Sequence, residues 1–502
     1  MSKTLETVRQ AALEGEKKEE ARKVRQSLSY SVKDGLAWSV MDGAGNKFIT
    51  AFAVALKASN FQIGLLTSIP QLASSWVQLL SGKLLDKYKS RKKLDGWFIL
   101  FQALTWIPIA LIPFVWPNFA IVGLIALYTA YMAFGAIAGP IWQSWMGALV
   151  PEKIRGAYHG RRNQLVVAVG FGSTLIAGFL LNLFPAEMVF YGFALLFFIA
   201  FAARMVSRYF LMKQYDPPYE PTPGAYFSLW DYTKRLPKSN FAQFSLFIGL
   251  MNFAVNFGSP FIAVYWLKEL NVSYLEFTIA LLMPVIGNFV MVRYWGKLAD
   301  RFGNIKILTL TGALIPFAVL YYLAYPYVQS IYWIYFVEFF SGFVWSGFNL
   351  SASNFMYDAV SPAKRAYAYS YHGIYAGTGS FAGALAGGAV IGLLPTAWFI
   401  PSVFLSIFLF SGILRFAVYF AFIKRIREVR PVEHVNDVHL IQIVATTNPV
   451  NGFLFTALDA AKKGAGEVDE VVSAFFEHLD DKVFEPVKEK VRKRARKKKG
   501  QE

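Results

Sequence analysis

The chain has 502 residues, of which 55% are hydrophobic, 17% aromatic and only 16% charged. Soluble domains typically contain about 25% charged residues, so this composition excludes an ordinary water-soluble protein. The net charge is +18. Cysteine is absent, and its absence excludes disulfides and thiolate metal or redox sites. Several apolar runs approach the ~20 residues that cross a bilayer as a helix. The fold class predicted is an all-α polytopic membrane protein.

Twelve transmembrane helices are predicted between charged or Pro/Gly-rich breaks. The first six span residues 35–56, 61–82, 94–115, 119–140, 164–184 and 187–211, and the second six span 241–266, 274–295, 305–325, 330–354, 367–392 and 396–422. The predicted domains are an N-terminal segment (1–34), a six-helix bundle (35–211), a linker (212–240), a second six-helix bundle (241–423) and a C-terminal tail (424–502).

The loops differ in charge according to their order. Lysine and arginine concentrate in the loops that follow even-numbered spans, whereas the loops after odd-numbered spans hold only Lys57 and Lys268. Positive loops stay on the cytoplasmic side, so both termini are predicted to be cytoplasmic. The expected location is the plasma membrane. Residues 1–34 are polar and mixed in charge, so we expect the first span, rather than a cleavable signal, to direct insertion.

The first span carries Asp42, Asn46 and Lys47 within "VMDGAGNKF". Asp42 and Asn46 are four residues apart and share a face, while Lys47 lies ~140° around the helix from Asp42. At ~1.5 Å per residue from the cytoplasmic end, Lys47 is ~18 Å deep, near the middle of the membrane. Ionisable groups at this depth usually face a bundle interior or water.

Two loops repeat one another. "GKLLDKYKSRKK" at 82–93 returns as "GKLADRFGNIK" at 296–306, so Gly82 and Asp86 correspond to Gly296 and Asp300. The segments "MGALVPEKIRGAY" and "MYDAVSPAKRAYA" also correspond. The chain is therefore predicted to contain two copies of one six-helix unit. We expect each aspartate to accept hydrogen bonds from the N-terminus of a neighbouring helix or to pair with an arginine, and each glycine to permit close helix approach.

The repeated loop resembles the loop motif of the major facilitator superfamily (MFS), and the resemblance covers about residues 35–423. That motif has Gly, three residues, Asp, Arg or Lys, one residue, Gly and then basic residues; here Lys89 replaces the second glycine in the first copy, and Gly303 retains it in the second. The resemblance implies two pseudosymmetric six-helix bundles, alternating access and a cytoplasmic gate. Its candidate residues are Gly82, Asp86, Arg91, Arg155, Gly296, Asp300, Arg301 and Arg365. Alternatively, the basic residues only fix topology.

The same resemblance implies that spans 1, 4, 7 and 10 line a central cavity. Polar or aromatic residues at helical spacing fall on each of these spans. The candidate substrate-binding or proton-coupling residues are Asp42, Asn46, Lys47, Tyr128, Tyr131, Asn252, Asn256, Glu338, Trp345 and Asn349. Glu338 is the first candidate for proton coupling and Lys47 its candidate partner. The alternatives are a structural ion pair, interhelical hydrogen bonds and ordinary aromatic packing.

These patterns predict a secondary active transporter of a small organic solute, with proton coupling as a further expectation. Two alternatives are a lipid or lipid-linked flippase and a non-transporting receptor or assembly factor. The expected partners are the substrate and the lipid bilayer; no enzyme activity, cofactor, metal site or nucleic-acid binding is expected. Glycines four residues apart in the eleventh span are typical of close helix packing. An apolar stripe within 466–499 predicts a basic amphipathic helix against the inner leaflet, or alternatively a solvated tail.

Overall fold

The computed structural model describes residues 2–151, 154–219, 229–234, 239–360, 365–396 and 400–432. In the first half of the chain its helices are α1 (Ser2–Ala44), α2 (Ile49–Ala55), α3 (Asn60–Val77), α4 (Leu80–Tyr88), α5 (Arg91–Leu104), α6 (Trp106–Val115), α7 (Ala120–Leu149), α8 (Arg155–Asn182), α9 (Val189–Met212) and α10 (Leu229–Lys234). In the second half they are α11 (Asn240–Asn256), α12 (Ile262–Val264), α13 (Tyr274–Phe302), α14 (Asn304–Leu314), α15 (Phe317–Leu320), α16 (Tyr325–Val328), α17 (Ile331–Ala359), α18 (Arg365–Val390) and α19 (Val403–Phe422). The amphipathic helix predicted in the tail lies outside the described residues.

Within these described ranges, nine helical stretches are long and apolar enough to cross a membrane. They correspond to predicted spans 3 to 9, 11 and 12, and they make the chain an integral membrane protein. Helices also occupy predicted spans 1, 2 and 10. Span 1 is interrupted by a turn of 3₁₀-helix at Asn46–Phe48, and span 2 is interrupted between α3 and α4. Span 10, in α17, is rich in tyrosine and tryptophan and contains Glu338.

The first helix begins much earlier than expected. Residues 2–44 form one continuous α-helix of 43 residues, so no break separates the predicted N-terminal segment from the first span. The segment is rich in Ala, Glu, Lys and Arg, which have high intrinsic helix propensity, and hydropathy alone does not register this continuation into water. Ser27 and Leu28 are buried, so the helix already packs against the bundle before position 35.

The eleventh span is packed closely against the seventh, as its glycines predicted. A methyl group on Gly379, Gly383 or Gly387 of α18 would overlap carbonyl oxygens of α11 and its C-terminal extension, at Gly249, Phe253 and Phe257 respectively. The same helix also packs against α3 of the first half, where a Cβ on Gly64 would lie 2.8 Å from the carbonyl oxygen of Ala384. Glycine spacing therefore sets the distance between these backbones.

Among the described residues, fully buried apolar side chains of both halves join in one cluster, which lies on one side of the molecule. We call the end at which α9 finishes the linker side and the opposite end the far side. One buried cluster combines residues of both halves, including Phe48 and Phe52 with Trp266 and Phe277. On the linker side, one cluster lies entirely in the first half. Another lies in the second half, with Leu79 as the first-half residue packed against it.

Candidate functional site

A cavity of about 450 Å³ lies inside the first six-helix half, surrounded by α1 and α3, α5, α7, α8 and α9. Its lining includes three carboxylates and two guanidinium groups, from Asp34, Asp42, Asp95, Arg162 and Arg204. The volume lies within the range of small-molecule sites, roughly 300–1,000 Å³. Charged groups inside a membrane helix bundle commonly mark a substrate or ion pathway.

The first span supplies one wall of this cavity. Asp34, Trp38 and Asp42 recur every four residues on α1, which places them on one helix face, and Asn46 continues the stripe into the 3₁₀ turn. Asn46 Nδ2 donates to Asp42 Oδ1 at 2.9 Å, and Tyr128 Oη donates to Asn46 Oδ1 at 2.7 Å. Three candidates from the sequence, Asp42, Asn46 and Tyr128, are therefore joined in one hydrogen-bonded chain.

Tyr131, on the next turn of α7, is buried and also lines the cavity. Its ring stacks on Tyr128 at a centroid distance of 5.7 Å, and its hydroxyl points to the sulfur of Met41 at 3.1 Å. Trp106 meets the Tyr131 ring edge-on at 4.8 Å. This packing holds both tyrosines in fixed positions between α1 and α7.

A second network contains charged residues that the candidate set did not include. Arg204 of α9 is 6% exposed; its Nε donates to Gln102 Oε1 and its Nη1 to Ser207 Oγ, each at 2.9 Å. Ser207 Oγ then donates to Asp34 Oδ1 at 2.6 Å. Arg162 Nη2 lies 3.9 Å from Asp34 Oδ2. Asp34 is thus held between two arginines from α8 and α9.

Arg162 corrects the predicted spans, which leave it in the loop between spans 119–140 and 164–184, among the positive charges that set orientation. It lies inside α8, donates from Nε to the Ser31 carbonyl oxygen at 3.1 Å, and places its guanidinium 4.6 Å from the centre of the Trp142 ring. Asp34 and Asp95 sit at the predicted ends of spans, where a charge is unremarkable. Arg204 lies well inside span 6 and recurs as Arg415 in span 12, a signal that could have identified it.

Three lining residues hold buried polar atoms without a hydrogen-bond partner. They are both carboxylate oxygens of Asp95, the hydroxyl of Ser74 and the indole nitrogen of Trp142. Asp95 is 0% exposed. Buried polar groups are nearly always satisfied, and a buried carboxylate without a donor is costly.

Glu338 and Lys47 are not brought together. Tyr322 Oη donates to Glu338 Oε1 at 2.6 Å, and Glu338 is half-buried in α17. Lys47 is exposed in the turn between α1 and α2, and among the described residues no carboxylate lies within 4.0 Å of its ammonium. The expected partnership depended on similar depth in the membrane, which does not fix the direction in which either side chain points.

The candidates of spans 7 and 10 have mostly local contacts. Asn252 donates to the Ile248 carbonyl oxygen at 2.9 Å. Asn256 donates to the Asn252 carbonyl oxygen at 3.0 Å and to Ser380 Oγ of α18 at 3.3 Å. Trp345 packs edge-on against Phe348 at 5.4 Å, and Asn349 is exposed. Asn256 therefore contributes an interhelical hydrogen bond, which was one of the alternatives.

The candidate gate residues of the first half contact their own half or the segment that follows α9. Asp86 accepts from Tyr219 Oη at 2.8 Å. Arg91 donates to Ser144 Oγ at 3.2 Å and to the Pro217 carbonyl oxygen at 3.1 Å. Arg155 donates to the carbonyl oxygens of Gly147 and Val150. A Cβ on Gly82 would meet no atom within 4 Å, so close helix approach at this glycine is not observed.

In the second half, a Cβ on Gly296 would meet one side chain within 4 Å, that of Leu350 at 3.7 Å. Asp300 is exposed, and the Arg301 guanidinium lies 5.0 Å from the Phe302 ring centre. Arg365 begins α18, but its side chain lies outside the described part of the chain.

The carboxylates that accept hydrogen bonds at the N-termini of α5 and α14 are not the predicted ones, Asp86 and Asp300. Asp216, after α9, accepts from the Lys92 backbone N–H at 3.2 Å and from Ser90 Oγ at 3.0 Å, at the start of α5. Glu428, after α19, accepts from the Ile305 backbone N–H at 2.9 Å, at the start of α14. An anion at a helix N-terminus is stabilised by unpaired N–H groups and the helix dipole. Each half thus caps its third span from the segment after its sixth.

The far side is sealed by contacts between the halves. The ring of Phe48 lies 6.3 Å from that of Phe277, and the Lys268 ammonium donates to the Ala58 carbonyl oxygen. A Cβ on Gly178 of α8 would overlap the side chain of Thr278 in α13. The arrangement combines a polar cavity in one half with a closed far side.

Comparisons with known proteins agree with this architecture. The model of the Major Facilitator Superfamily matches residues 37–245 and 240–458. Similar solved structures include a mutant of nucleoside transporter NupG (TM-score 0.62, 16% identity, 80% of this chain and 100% of that chain), a D-xylose-proton symporter (0.61, 13%, 82% and 99%) and an auto-inhibited POT family peptide transporter (0.60, 11%, 83% and 99%). At these identities the likeness is one of fold. No curated protein matches the sequence.

The family match covers both six-helix halves of the chain, and the structural likenesses extend over about four fifths of it. The protein therefore belongs to the Major Facilitator Superfamily.

Proposed function

We propose that the protein is a secondary active transporter that carries a small polar organic solute across the membrane by alternating access. The observation that carries the proposal is the seal between the halves on the far side, combined with a charged cavity of about 450 Å³ in the first half. Alternating access requires one side to be closed while the other admits solute. The bonded gate residues on the linker side support this, because their hydrogen bonds stay within the first half and the segment after α9.

We infer that the linker side faces the cytoplasm and that the protein resides in the plasma membrane. The charge of the loops supports this orientation, because lysine and arginine concentrate in the loops on the linker side. In this orientation the far-side seal closes the outer face of the membrane. Coupling to protons is assigned to Glu338, whose carboxylate lies within a span and is held by the Tyr322 hydroxyl.

The proposal is tested by solute counterflow into proteoliposomes, using labelled sugars, nucleosides, amino acids, peptides and amines. We expect exchange of one chemical class. A lock on the far side provides the control. A Cβ on Gly388 would lie 3.5 Å from the Phe61 Cα, so the two positions are close enough to test for a cross-link in the double variant Phe61→Cys with Gly388→Cys. The chain has no other cysteine to interfere.

Oxidation of the double variant should abolish counterflow, and reduction should restore it, whereas Phe61→Cys alone should be insensitive to oxidant. Counterflow that continues through a fully cross-linked protein would contradict alternating access. Solute binding without any counterflow would favour a receptor, and movement of lipid alone would favour a flippase.

A further inference from the structure

The charges that line the first-half cavity do not balance. Asp34, Asp42 and Asp95 supply three negative charges, and Arg162 and Arg204 supply two positive charges, which leaves a formal charge of −1. Inside a membrane protein, an unbalanced charge is expensive and is normally matched by a partner or a ligand.

The two guanidinium groups are already bound to protein acceptors. Arg204 donates to Gln102 and Ser207, while Arg162 donates to the Ser31 carbonyl oxygen and covers the Trp142 ring. Neither arginine presents a buried nitrogen without a partner. Both guanidinium groups are therefore already engaged by protein groups.

The three carboxylates differ in whether they accept a hydrogen bond from the protein. Asp34 accepts from Ser207 and Asp42 accepts from Asn46. Asp95 accepts no hydrogen bond at either oxygen and is 0% exposed, although it lines the cavity. The unpartnered hydroxyl of Ser74 provides another buried acceptor in the same lining. The missing partner is thus a positively charged donor that can serve several oxygens at once.

On the basis of the proposed transport function, we propose that this cavity binds the protonated amine of an organic monocation, with Asp95 as its counter-ion. An alkylammonium group has three N–H donors, which can supply the hydrogen bonds that both oxygens of Asp95 lack. Trp38 also lines the cavity, and an indole face attracts a cation. The cavity volume accommodates an organic skeleton, which a bare proton does not require.

The test measures the melting temperature of the full-length protein in detergent with matched cation, neutral and anion probes. Suitable series are tyramine, tyrosol and 4-hydroxyphenylacetate; tryptamine, tryptophol and indole-3-acetate; and hexylamine, hexanol and hexanoate. A ligand that binds only the folded state raises the melting temperature in a saturable way. We expect the amine to stabilise the protein more than its neutral and anionic counterparts in at least one series.

Asp95→Asn keeps the size of the side chain but removes its charge, and it should weaken amine binding at least about tenfold. Asp95→Glu should recover part of the affinity, which separates charge pairing from damage to the fold. Glu187→Gln, in an exposed far-side loop, is the matched control and should bind the amine like the parent.

Equal responses to amine and alcohol in every series would overturn the proposal, as would undiminished amine binding by Asp95→Asn. Stabilisation by protons or Na⁺ alone, without a response to any amine, would also overturn it. The result is separable from the transport function: counterflow of a solute without an amine would leave transport standing and refute this assignment. Amine binding without counterflow of any solute would support the amine assignment and contradict the transport function.

Discussion

At the residue scale, the two copies of the repeated loop have different residues, with different backbone angles, at the position that ends the helix. Lys89 ends α4 with φ 53° and ψ 19°, in the left-handed region, whereas Gly303 ends α13 with φ 94° and ψ 155°. The family motif has glycine at both positions, and the left-handed region costs a residue with a Cβ about 1–2 kcal/mol. Lys89 bears this cost in the native fold, and Gly303 avoids it.

Substitution at these two positions should therefore act in opposite directions. Lys89→Gly should stabilise the protein by up to about 1 kcal/mol, because it removes the left-handed strain. Gly303→Ala should destabilise it by more than about 1 kcal/mol, since its φ is unfavourable for alanine and the new Cβ would lie 2.6 Å from Glu428 Oε2. Thermal unfolding in detergent measures both changes. A loss of stability in Lys89→Gly would show that the lysine side chain contributes more than its backbone costs.

Glu338 tests the proposed proton coupling. In Glu338→Gln the amide oxygen can still accept from Tyr322, but the group no longer ionises. We expect pH-gradient-driven accumulation in proteoliposomes to fall to a ratio of about one between inside and outside, while counterflow exchange continues. Glu187→Gln provides the matched control in an exposed loop. Accumulation at the parental level in Glu338→Gln would remove this residue from the coupling mechanism.

At the scale of elements, the contact between α18 and α11 depends on glycine spacing. Gly383→Ala should place a methyl group against the Phe253 carbonyl oxygen and separate the two helices, with a loss of about 1–3 kcal/mol. Gly172→Ala in α8 meets no atom within 4 Å and should leave stability unchanged or slightly raised. The melting temperatures of both variants in detergent test whether glycine is required at the contact between α18 and α11. Equal melting temperatures would mean that the α18 backbone can move away without cost.

Element positions were largely predictable, but the directions of individual side chains were not. The repeated loop and the apolar runs predicted the family fold, and the small residues of span 11 predicted its close packing, because both follow from local sequence patterns. Asp34 and Asp95 were missed since hydropathy cannot distinguish a charge in water from one that turns into the bundle at a span end. The pairing of Lys47 with Glu338 failed because the relative rotation of helices in different halves depends on tertiary packing.

At the scale of the whole molecule, the halves meet through a shared apolar cluster on the far side and through α3 and α18 further along the membrane. Among the described residues, the candidate gate aspartates Asp86 and Asp300 form no hydrogen bond or ion pair with the opposite half: Asp86 is bonded to Tyr219 and Asp300 is exposed. Alternating access predicts that these linker-side elements approach one another when the far-side seal opens. We therefore expect the candidate gate contacts of Asp86 and Asp300 to form only in that second conformation.

The most direct measurement is the distance between spin labels on opposite halves, because the cysteine-free chain accepts labels at chosen sites. Lys83→Cys with Lys297→Cys reports on the linker side, and Phe119→Cys with Tyr327→Cys reports on the far side; all four residues are exposed. Under conditions of substrate exchange, we predict a shorter population for the linker-side pair and a longer population for the far-side pair. Distances that stay fixed, or that change on one side only, would contradict the account.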